Sequence, residues 1–512
     1  MQKLACTTVG LLGLMALAAC GDDTEGSGGS GQGGAGGGAT TTTSTSSSDG
    51  GGGGSTSDGG GGSTSEGGGG VGGGGGEGGG SAASAWVKYV ESPANLAGLH
   101  TTSDGGVVVV FRFFGTKNFG GGAVTAVASG SFLVAKYASD GSHVWSKQID
   151  PSAGAFINHT ALGPNDVVYL TGRTQGSVDF GGGALAASST DAFIASYDAS
   201  GDHRWSKLLG GSGYDEGTRL ATNAAGDVLL TGIVNGAVNL GGGALNASGT
   251  DAFFVLFDAT GAHQSSLLFD DSGALANSSA DVFGCAIDAS RNIYLTGALR
   301  GTLTLGGLTS AGGTDAYLVK LASSGNILWG KRFGDTSDQH GNHVLLDTTG
   351  KPTLVASFIG TVDFGGGTLT SALATAQNLA VARFDEQGNH VASRGFGNMY
   401  QQQTSSASMR ADGTLLIGGD TTSSFTIDTI DLSSPGFDNN SFWLLLGPND
   451  GALAGATYTS PQSNYVFGAD FGPGETVYVG GWHLGELSIG AETVPAPGSG
   501  YGSYWARQPI TP

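Results

Sequence analysis

A repeat of about 62 residues runs from residue 85 to the C-terminal end and constrains the fold more than any other feature of the chain. Its most regular phrase, TDA followed by an aromatic residue, stands at residues 190–193, 250–253 and 314–317. Weaker copies bring the number to seven, at residues 131–132, 378–379, 441–442 and 503–504. A fixed period of this length indicates a propeller, a solenoid or another array, because each unit buries its apolar face only against its neighbours.

Each unit is predicted to contain four short strands. In the third copy they are rich in β-branched and aliphatic residues and cover residues 217–223, 227–234, 252–258 and 264–269. The connections are Asn, Asp and Gly turns, as in the DATG tetrapeptide at residues 258–261. Four strands in a unit of roughly 40 to 60 residues are typical of one propeller blade. We therefore predict an all-β fold, a single seven-bladed β-propeller of four-stranded blades over residues 85–512.

The two ends of this domain indicate how the ring closes. The last copy stops after its third strand, at residues 503–508, and lacks the outer strand that carries a Trp. A matching Trp phrase, WVKYV, stands instead at residues 86–90. We expect this N-terminal strand to complete the last blade, which protects the terminal strand edges. An open β-solenoid is the alternative, and it gives no reason to move one strand from the end of the domain to its beginning.

The repeat resembles the SBBP-type β-propeller repeat of bacterial surface proteins. The likeness is best over residues 205–232, with LLGGSGYDEG at 208–217 and DVLLTG at 227–232, and it extends with decay over residues 85–512. Copies six and seven depart most, with QT at 403–404 and SN at 463–464 in place of the Asp-Glu step. The resemblance implies a propeller at the cell surface and no defined chemistry.

The N-terminal segment is predicted to be a lipoprotein signal peptide, residues 1–19. Lys3 precedes an apolar run at residues 9–19 that is too short to span a bilayer. The LAAC at residues 17–20 resembles the bacterial lipoprotein cleavage box, which implies a lipid on Cys20. An ordinary secreted protein is the alternative. The sequence leaves Cys285 as the only cysteine after Cys20, so we expect no internal disulfide in the mature chain.

Residues 20–84 are predicted to be a disordered tether. About half of this segment is Gly, followed by Ser and Thr, and it has no apolar period with which to build a core. The run at residues 40–48 is an alternative site of O-glycosylation. The whole chain carries a formal net charge of −22, which excludes electrostatic binding to nucleic acid or to an anionic membrane surface. The predicted membrane contact is therefore the lipid anchor alone.

Several motifs could indicate a metal or phosphate site, but a structural role is the favoured interpretation of each. Four of the nine His residues recur at one position after a turn Gly, which favours a structural role: His143, His203, His263 and His390. The DQHGNH at residues 338–343 and the acidic loop at residues 270–281 are weak metal-site alternatives. The FGGG phrases are read as tight bends, because a phosphate loop needs a helix behind it. No cofactor is predicted.

The candidate binding face is the one that carries the long, variable connections. Variable loops on a rigid scaffold are where binding residues usually sit. Aromatic and amide side chains there suit a sugar or a protein partner equally well. The candidate residues are Asp215, Glu216, Asp281, His340, Tyr400, Gln402, Tyr458 and Trp482.

These observations favour a non-enzymatic, monomeric lipoprotein of the cell envelope, at the outer membrane or cell surface, that binds an unidentified glycan or envelope protein. A scaffold of envelope assembly is the alternative. A propeller enzyme such as a lyase or a quinoprotein is a third possibility. The quinoprotein is disfavoured because such enzymes usually need a calcium site and a vicinal Cys pair, whereas only Cys285 remains.

Overall fold

The computed structural model describes residues 85–91, 94–269, 279–303, 305–434, 438–498 and 500–510. The predicted signal peptide, Cys20, the tether and residues 270–278 of the acidic loop lie outside the described residues. One compact unit spans Gly78–Pro512. Helical structure in the described ranges is confined to the 3-10 turns Pro164–Asp166 and Leu305–Gly307. A membrane-spanning helix is absent from these ranges.

The protein is all-β and propeller-like. Its strands are numbered β1 to β40 along the chain, and most of them pair in antiparallel groups of four. The first three groups are β2 (Ala94–Thr101), β3 (Val107–Phe113), β6 (Ser131–Tyr137) and β7 (His143–Ile149); β8 (Ala155–Gly163), β9 (Val167–Thr174), β12 (Asp191–Tyr197) and β13 (His203–Gly211); and β14 (Glu216–Thr222), β15 (Val228–Asn239), β16 (Ala244–Phe257) and β17 (His263–Phe269).

The same pattern continues to the C-terminal end. The next groups are β18 (Ser279–Ile287), β19 (Ile293–Arg300), β22 (Asp315–Leu321) and β23 (Ile327–Phe333); β24 (Gln339–Leu346), β25 (Pro352–Phe358), β28 (Asn378–Phe384) and β29 (His390–Phe396); and β30 (Gln402–Met409), β31 (Leu415–Thr421), β34 (Asn440–Leu446) and β35 (Ala452–Tyr458). The last group is β36 (Asn464–Phe471), β37 (Thr476–His483), β40 (Gly502–Pro509) and β1 (Trp86–Val90). The second and third groups merge into one sheet, because β13 also pairs with β15.

The first strand of each group contacts the first strand of the next group, and β36 contacts β2. We call these seven strands the inner strands. The hydrophobic core lies between neighbouring groups, as where Val108 and Phe132 of the first group pack with Ile157 and Phe193 of the second. Between the last and first groups, the backbone N–H of Thr101 donates to Asp470 Oδ2 over 2.8 Å.

The FGGG phrases are the turns of short hairpins, an element that the sequence analysis did not predict. The hairpins are β4 (Thr116–Asn118) with β5 (Ala123–Thr125), β10 (Ser177–Asp179) with β11 (Ala184–Ala186), β20 (Thr302–Leu303) with β21 (Leu308–Thr309), β26 (Thr361–Asp363) with β27 (Thr368–Thr370), β32 (Phe425–Ile427) with β33 (Ile430–Leu432) and β38 (Leu487–Ile489) with β39 (Glu492–Val494). In the third group the hairpin is continuous with β15 and β16. Each hairpin connects the second strand of its group to the third.

The four recurring His residues hold these hairpins against the outer strands. A Cβ on the middle Gly of a turn would lie 2.4 Å from His143 Cε1 at Gly121 and 2.4 Å from His263 Cε1 at Gly242. The opposite side of each ring meets an aromatic side chain edge-on, as where His263 meets Phe257 at 6.4 Å. These imidazoles are therefore packing elements, and the middle Gly is required because nothing larger fits beneath the ring.

Candidate functional site

A β-bulge in every inner strand aligns the seven groups residue by residue. The register against the second strand shifts once in each inner strand, next to the bulge residues Ala97, Asn158, Thr218, Phe283, Asn342, Ser405 and Phe467. The residue two positions before each bulge residue pairs with a residue near the end of the second strand of its group. These pairs are Asn95 with Arg112, Phe156 with Arg173, Glu216 with Ile233, Asp281 with Ala298, His340 with Ser357, Gln403 with Asp420 and Tyr465 with Trp482.

We call this set of paired positions the mouth. It lies at the start of the inner strands, the end at which the long connections open. Directly paired residues on antiparallel strands project on the same side of the sheet and are close enough to interact. The mouth therefore combines side chains from fourteen sequence positions that are scattered over nearly four hundred residues.

One part of the mouth is a ladder of aromatic rings and guanidinium groups. Arg112 Cζ lies 4.7 Å from the ring centroid of Phe114 and 4.3 Å from that of Phe156. Arg173 Cζ lies 4.5 Å from Phe156 and 5.6 Å from the ring centroid of Tyr214. Cations over ring faces are attracted by the ring quadrupole, so the five side chains hold one another in fixed positions.

The two arginines of the ladder differ in their charge partners. Arg173 Nη1 lies 2.5 Å from Glu216 Oε1, and the Tyr214 hydroxyl donates to Glu216 Oε2 at the same distance. Arg112 forms no ion pair with a described residue, and its buried Nε has no hydrogen-bond partner among them. Its Nη2 donates to the Ser129 carbonyl oxygen at 3.2 Å. Burial lowers the pKa of Arg112. The mouth thus contains the guanidinium of Arg173, whose charge is neutralised by Glu216, and that of Arg112, which has no carboxylate partner among the described residues.

Four aromatic side chains, Tyr465, Phe467, Trp482 and Tyr501, form a cluster around the mouth pair Tyr465 and Trp482, in the last group of strands next to the ladder, and we call it the aromatic cluster. Its ring centroids are 4.3 Å apart for Tyr465 and Trp482, 6.2 Å for Phe467 and Trp482, and 5.6 Å for Trp482 and Tyr501. Phe467 is 37% exposed. Tyr501 also raises the pKa of Arg112, so the cluster and the ladder are within electrostatic range of each other.

Two carboxyl groups in the mouth lack ion-pair partners in the described part of the chain. Burial raises the pKa of Asp420 to about 7 and also raises that of Asp281. The pKa of Tyr465 is raised mainly by burial and further by Asp420, so Asp420 acts on the aromatic cluster. His340 has a pKa lowered by burial, and its ring meets Phe283 edge-on at 5.9 Å. The mouth can therefore present a neutral carboxyl group near neutral pH.

The structure brings four of the eight sequence-predicted binding residues together. Glu216, Asp281 and His340 occupy the equivalent mouth position of three successive inner strands, and Trp482 pairs with Tyr465 at the same level. Tyr400 is 38% exposed in the connection that precedes β30. The remaining three predicted residues are buried, and Glu216 at the mouth is itself only 2% exposed.

Asp215, Gln402 and Tyr458 do not reach the binding surface, which corrects the sequence interpretation. Asp215 accepts hydrogen bonds from the backbone N–H of Gly211 at 2.8 Å and of Asn235 at 3.1 Å. Gln402 bonds to Asn398 through both ends of its amide, and Tyr458 is 1% exposed. Asp215 ties its connection to the strands β13 and β15, and Gln402 ties the preceding connection to the inner strand β30. Their neighbours Glu216 and Gln403 stand at the mouth instead.

Sequence reasoning missed several mouth residues and the neighbouring Phe467: Phe156, Arg112, Arg173, Gln403, Asp420 and Tyr465. These residues lie in separate repeats, and only the bulge register shows which strand positions meet. A cluster of three or more His, Cys, Asp or Glu able to hold a metal ion is absent from the described residues. In the DQHGNH motif, Gln339 is committed to Asp335 and Ile359, and His340 packs against Phe283.

Neither a protein-family profile nor a curated protein sequence matches the chain. Among solved structures, it is similar to the Pan2 WD40 domain of Neurospora crassa, with 10% identity, a TM-score of 0.40 and coverage of 82% of this chain and 90% of that one. It is similar to the polysaccharide lyase Uly1 with 9% identity, a TM-score of 0.40 and coverage of 81% and 90%. A Dyadobacter fermentans protein of unknown function has 11% identity, a TM-score of 0.35 and coverage of 83% and 99%.

Proposed function

We propose that residues 85–512 form a closed seven-bladed β-propeller that serves as a saccharide-binding module of a non-enzymatic, lipid-anchored envelope protein. Closure is supported by the antiparallel register of β1 on β40, from Trp86 opposite Arg507 to Val90 opposite Ser503. It is also supported by the contact between the inner strands β36 and β2. The lipid anchor on Cys20 and the SBBP-type repeat rest on the sequence.

The aromatic cluster beside an uncompensated guanidinium is the observation that supports saccharide binding. Aromatic faces pack against the apolar C–H faces of sugar rings, and the polar groups around them fix the orientation of the ligand. Phe467 and Trp482 supply such faces, while Arg112, Gln403 and His340 supply polar groups of different kinds. These side chains bring aromatic faces and polar groups together at the start of the inner strands.

The test is binding of a glycan array to the purified Cys20→Ala chain, followed by affinity measurements on the best ligand. We expect Trp482→Ala to weaken binding at least tenfold, because it removes the centre of the aromatic cluster. Tyr89→Ala is the matched control, since Tyr89 is 46% exposed on β1 and outside the mouth. Equal loss in both variants, or a single protein partner and no glycan ligand, would favour the envelope-scaffold alternative.

Asp420 favours a second candidate function, cleavage of the bound saccharide. Burial raises the pKa of Asp420 to about 7, so this carboxyl group, 8% exposed and within electrostatic range of Tyr465, is partly protonated at neutral pH, as a general acid must be. The experiment is chromatographic analysis of the best array ligand after incubation with the protein and with Asp420→Asn. New chain ends formed only by the unmodified protein would make it an enzyme. An intact ligand in both samples would leave the binding function alone.

A further inference from the structure

A second ring of equivalent positions lies immediately after the bulges. Its members are Gly98, His159, Arg219, Gly284, His343, Ser406 and Gly468. Three are glycines where neighbouring inner strands come close: a Cβ on Gly98 would lie 1.8 Å from Thr160 Oγ1. The ring therefore carries only three long side chains, two imidazoles and one guanidinium, and it contains no carboxylate.

Arg219 lacks a counter-charge within the described residues. Its Nε donates to the Phe283 carbonyl oxygen at 2.6 Å and its Nη1 to the Thr218 carbonyl oxygen at 2.8 Å. These bonds use two of the five guanidinium N–H groups and orient the others. No acid of the described ranges pairs with it, and burial lowers its pKa. Arg219 is only partly exposed, so its remaining N–H groups lie at a partly shielded surface with no carboxylate of the described residues to satisfy them.

The nearest ionisable groups cannot supply the missing negative charge. Cys285 interacts with Arg219, but burial raises the pKa of its thiol to about 12, so it stays protonated. Asp470 accepts from the backbone N–H of Thr101 and of Phe471, both at 2.8 Å, and it acts on His100. The guanidinium therefore remains a donor with free N–H groups beside the inner strands.

The two imidazoles of the ring have unused hydrogen-bonding capacity near this guanidinium. His159 Nδ1 accepts from the backbone N–H of Leu220 at 3.2 Å, which fixes the tautomer with a proton on Nε2. His343 Nε2 is buried without a hydrogen-bond partner among the described residues. The pKa of each ring is lowered, first by burial and then by Arg219, so both imidazoles lie within its electrostatic range. His343 also lowers the pKa of His159.

We propose that Arg219, His159 and His343 bind a small oxyanion of the phosphate or sulfate type between the inner strands. The guanidinium offers the paired N–H groups that suit phosphate oxygens, and His159 Nε2–H adds a donor from a neighbouring strand. The anion supplies the counter-charge that Arg219 lacks. It links inner strands of three different groups, so it stabilises the folded domain. This site is separate from the mouth and does not depend on the proposed saccharide binding.

Thermal unfolding of the full-length protein in inorganic phosphate, sulfate or chloride at constant ionic strength tests this site. We expect the melting temperature to rise with the logarithm of the phosphate concentration, since a ligand that binds only the folded state stabilises it by mass action. Arg219→Met should abolish the rise. Arg204→Met is the matched control, because Arg204 is an exposed arginine on the outer strand β13 that bonds the Ala259 carbonyl oxygen and interacts with Tyr169.

Further variants keep the test decisive if Arg219→Met does not fold. His343→Phe keeps the ring shape, removes both nitrogens, and should weaken phosphate binding at least threefold by calorimetry. Arg112→Met should leave the phosphate response unchanged. The proposed anion site would be wrong if chloride raised the melting temperature as much as phosphate does, or if His343→Phe bound phosphate with unaltered affinity. It would also be wrong if Arg112→Met abolished the rise in melting temperature, because the anion would then bind at the mouth.

Discussion

Trp86 Nε1 donates a hydrogen bond to the carbonyl oxygen of Ser139 over 2.9 Å, which joins the strand β1 to the turn between β6 and β7. The same contact recurs from Trp145 to Ala199 at 3.0 Å and from Trp329 to Glu386 at 3.0 Å. In each case an outer-strand Trp of one group of strands lies on the turn of the next group. Trp86 therefore binds β1 to the first group of strands in the same way as Trp145 binds β7 to the second group.

Replacing this tryptophan tests the proposed closure. Trp86→Ala removes the hydrogen bond, the contact with Gly141 and the ring contact with Tyr478 at 5.8 Å. We expect it to destabilise the domain by about 2–4 kcal/mol, the scale of large-to-small changes at a packed site. Trp145→Ala is the internal standard, measured by denaturant unfolding alongside it. Closure through β1 predicts similar losses, and a silent Trp86→Ala beside a destabilising Trp145→Ala would contradict it.

The middle glycine of each hairpin turn that lies against a recurring His ring is expected to tolerate no side chain. Gly242→Ala places a methyl group 2.4 Å from His263 Cε1 and should destabilise the protein by roughly 1–3 kcal/mol through overpacking. Gly249→Ala is the control, because a Cβ there meets nothing within 4 Å. Adding His263→Ala should recover part of the loss, since contacting residues couple. If the stability losses of the two single variants simply added in the double variant, the imidazole of His263 would not be what excludes a side chain at Gly242.

Asp420 predicts an unusual dependence of stability on pH. Its folded-state pKa of about 7 lies above the ordinary 3.8, so the folded protein holds a proton that the unfolded chain releases. The stabilisation of the folded state by this proton is complete below about pH 4, declines as the pH rises towards 7, and is lost above pH 7. Three pKa units correspond to at most about 4 kcal/mol.

Asp420→Asn should therefore stabilise the protein at pH 8 and have little effect at pH 4, as measured by denaturant unfolding at each pH. Asp412→Asn is the control, because hydrogen bonds from Thr414 lower the pKa of that exposed carboxyl. A stability difference between Asp420→Asn and the unmodified protein that is the same at both pH values would show that Asp420 ionises normally.

The two arginines of the ladder are expected to respond differently to the same substitution. Arg173→Met leaves the Glu216 carboxylate, with 3% of its side chain exposed, without its cation, and should cost about 3–5 kcal/mol. Arg112→Met leaves no charge behind and should cost less than half of that, while it weakens the binding of anionic glycans. Thermal unfolding and glycan titration of both variants separate the effects. Equal destabilisation would argue against an uncompensated Arg112.

Cys20→Ala tests the proposed anchor. The lipid is expected to depend on the Cys20 thiol, so the variant should move from the membrane fraction to the soluble fraction. Fractionation followed by immunoblotting measures this directly. A Cys6→Ala variant is the control, because Cys6 lies within the predicted signal peptide. Retention of Cys20→Ala in the membrane fraction would contradict lipid anchoring.

The repeat period and its strand patterns were sufficient to predict an all-β protein built from four-stranded units, because local β propensity and turn chemistry repeat in every copy. The pairing of residues 86–90 with the last strand also followed from the sequence, since a missing phrase at one end reappeared at the other. The role of His263 against Gly242 was visible only as a recurring position. Its cause, a ring that covers a turn, required the tertiary structure.

The mouth was decided by the register of the inner strands. Neighbouring residues on a strand face opposite sides, so one residue separates Gln402, which is fully buried, from Gln403 at the mouth. Each bulge then reverses the alternation of inward and outward side chains once in its strand. The amino-acid composition does not show where the bulge lies. The meeting of Arg219 with His159 and His343 has the same origin: three distant segments share one ring because their backbones align across the inner strands.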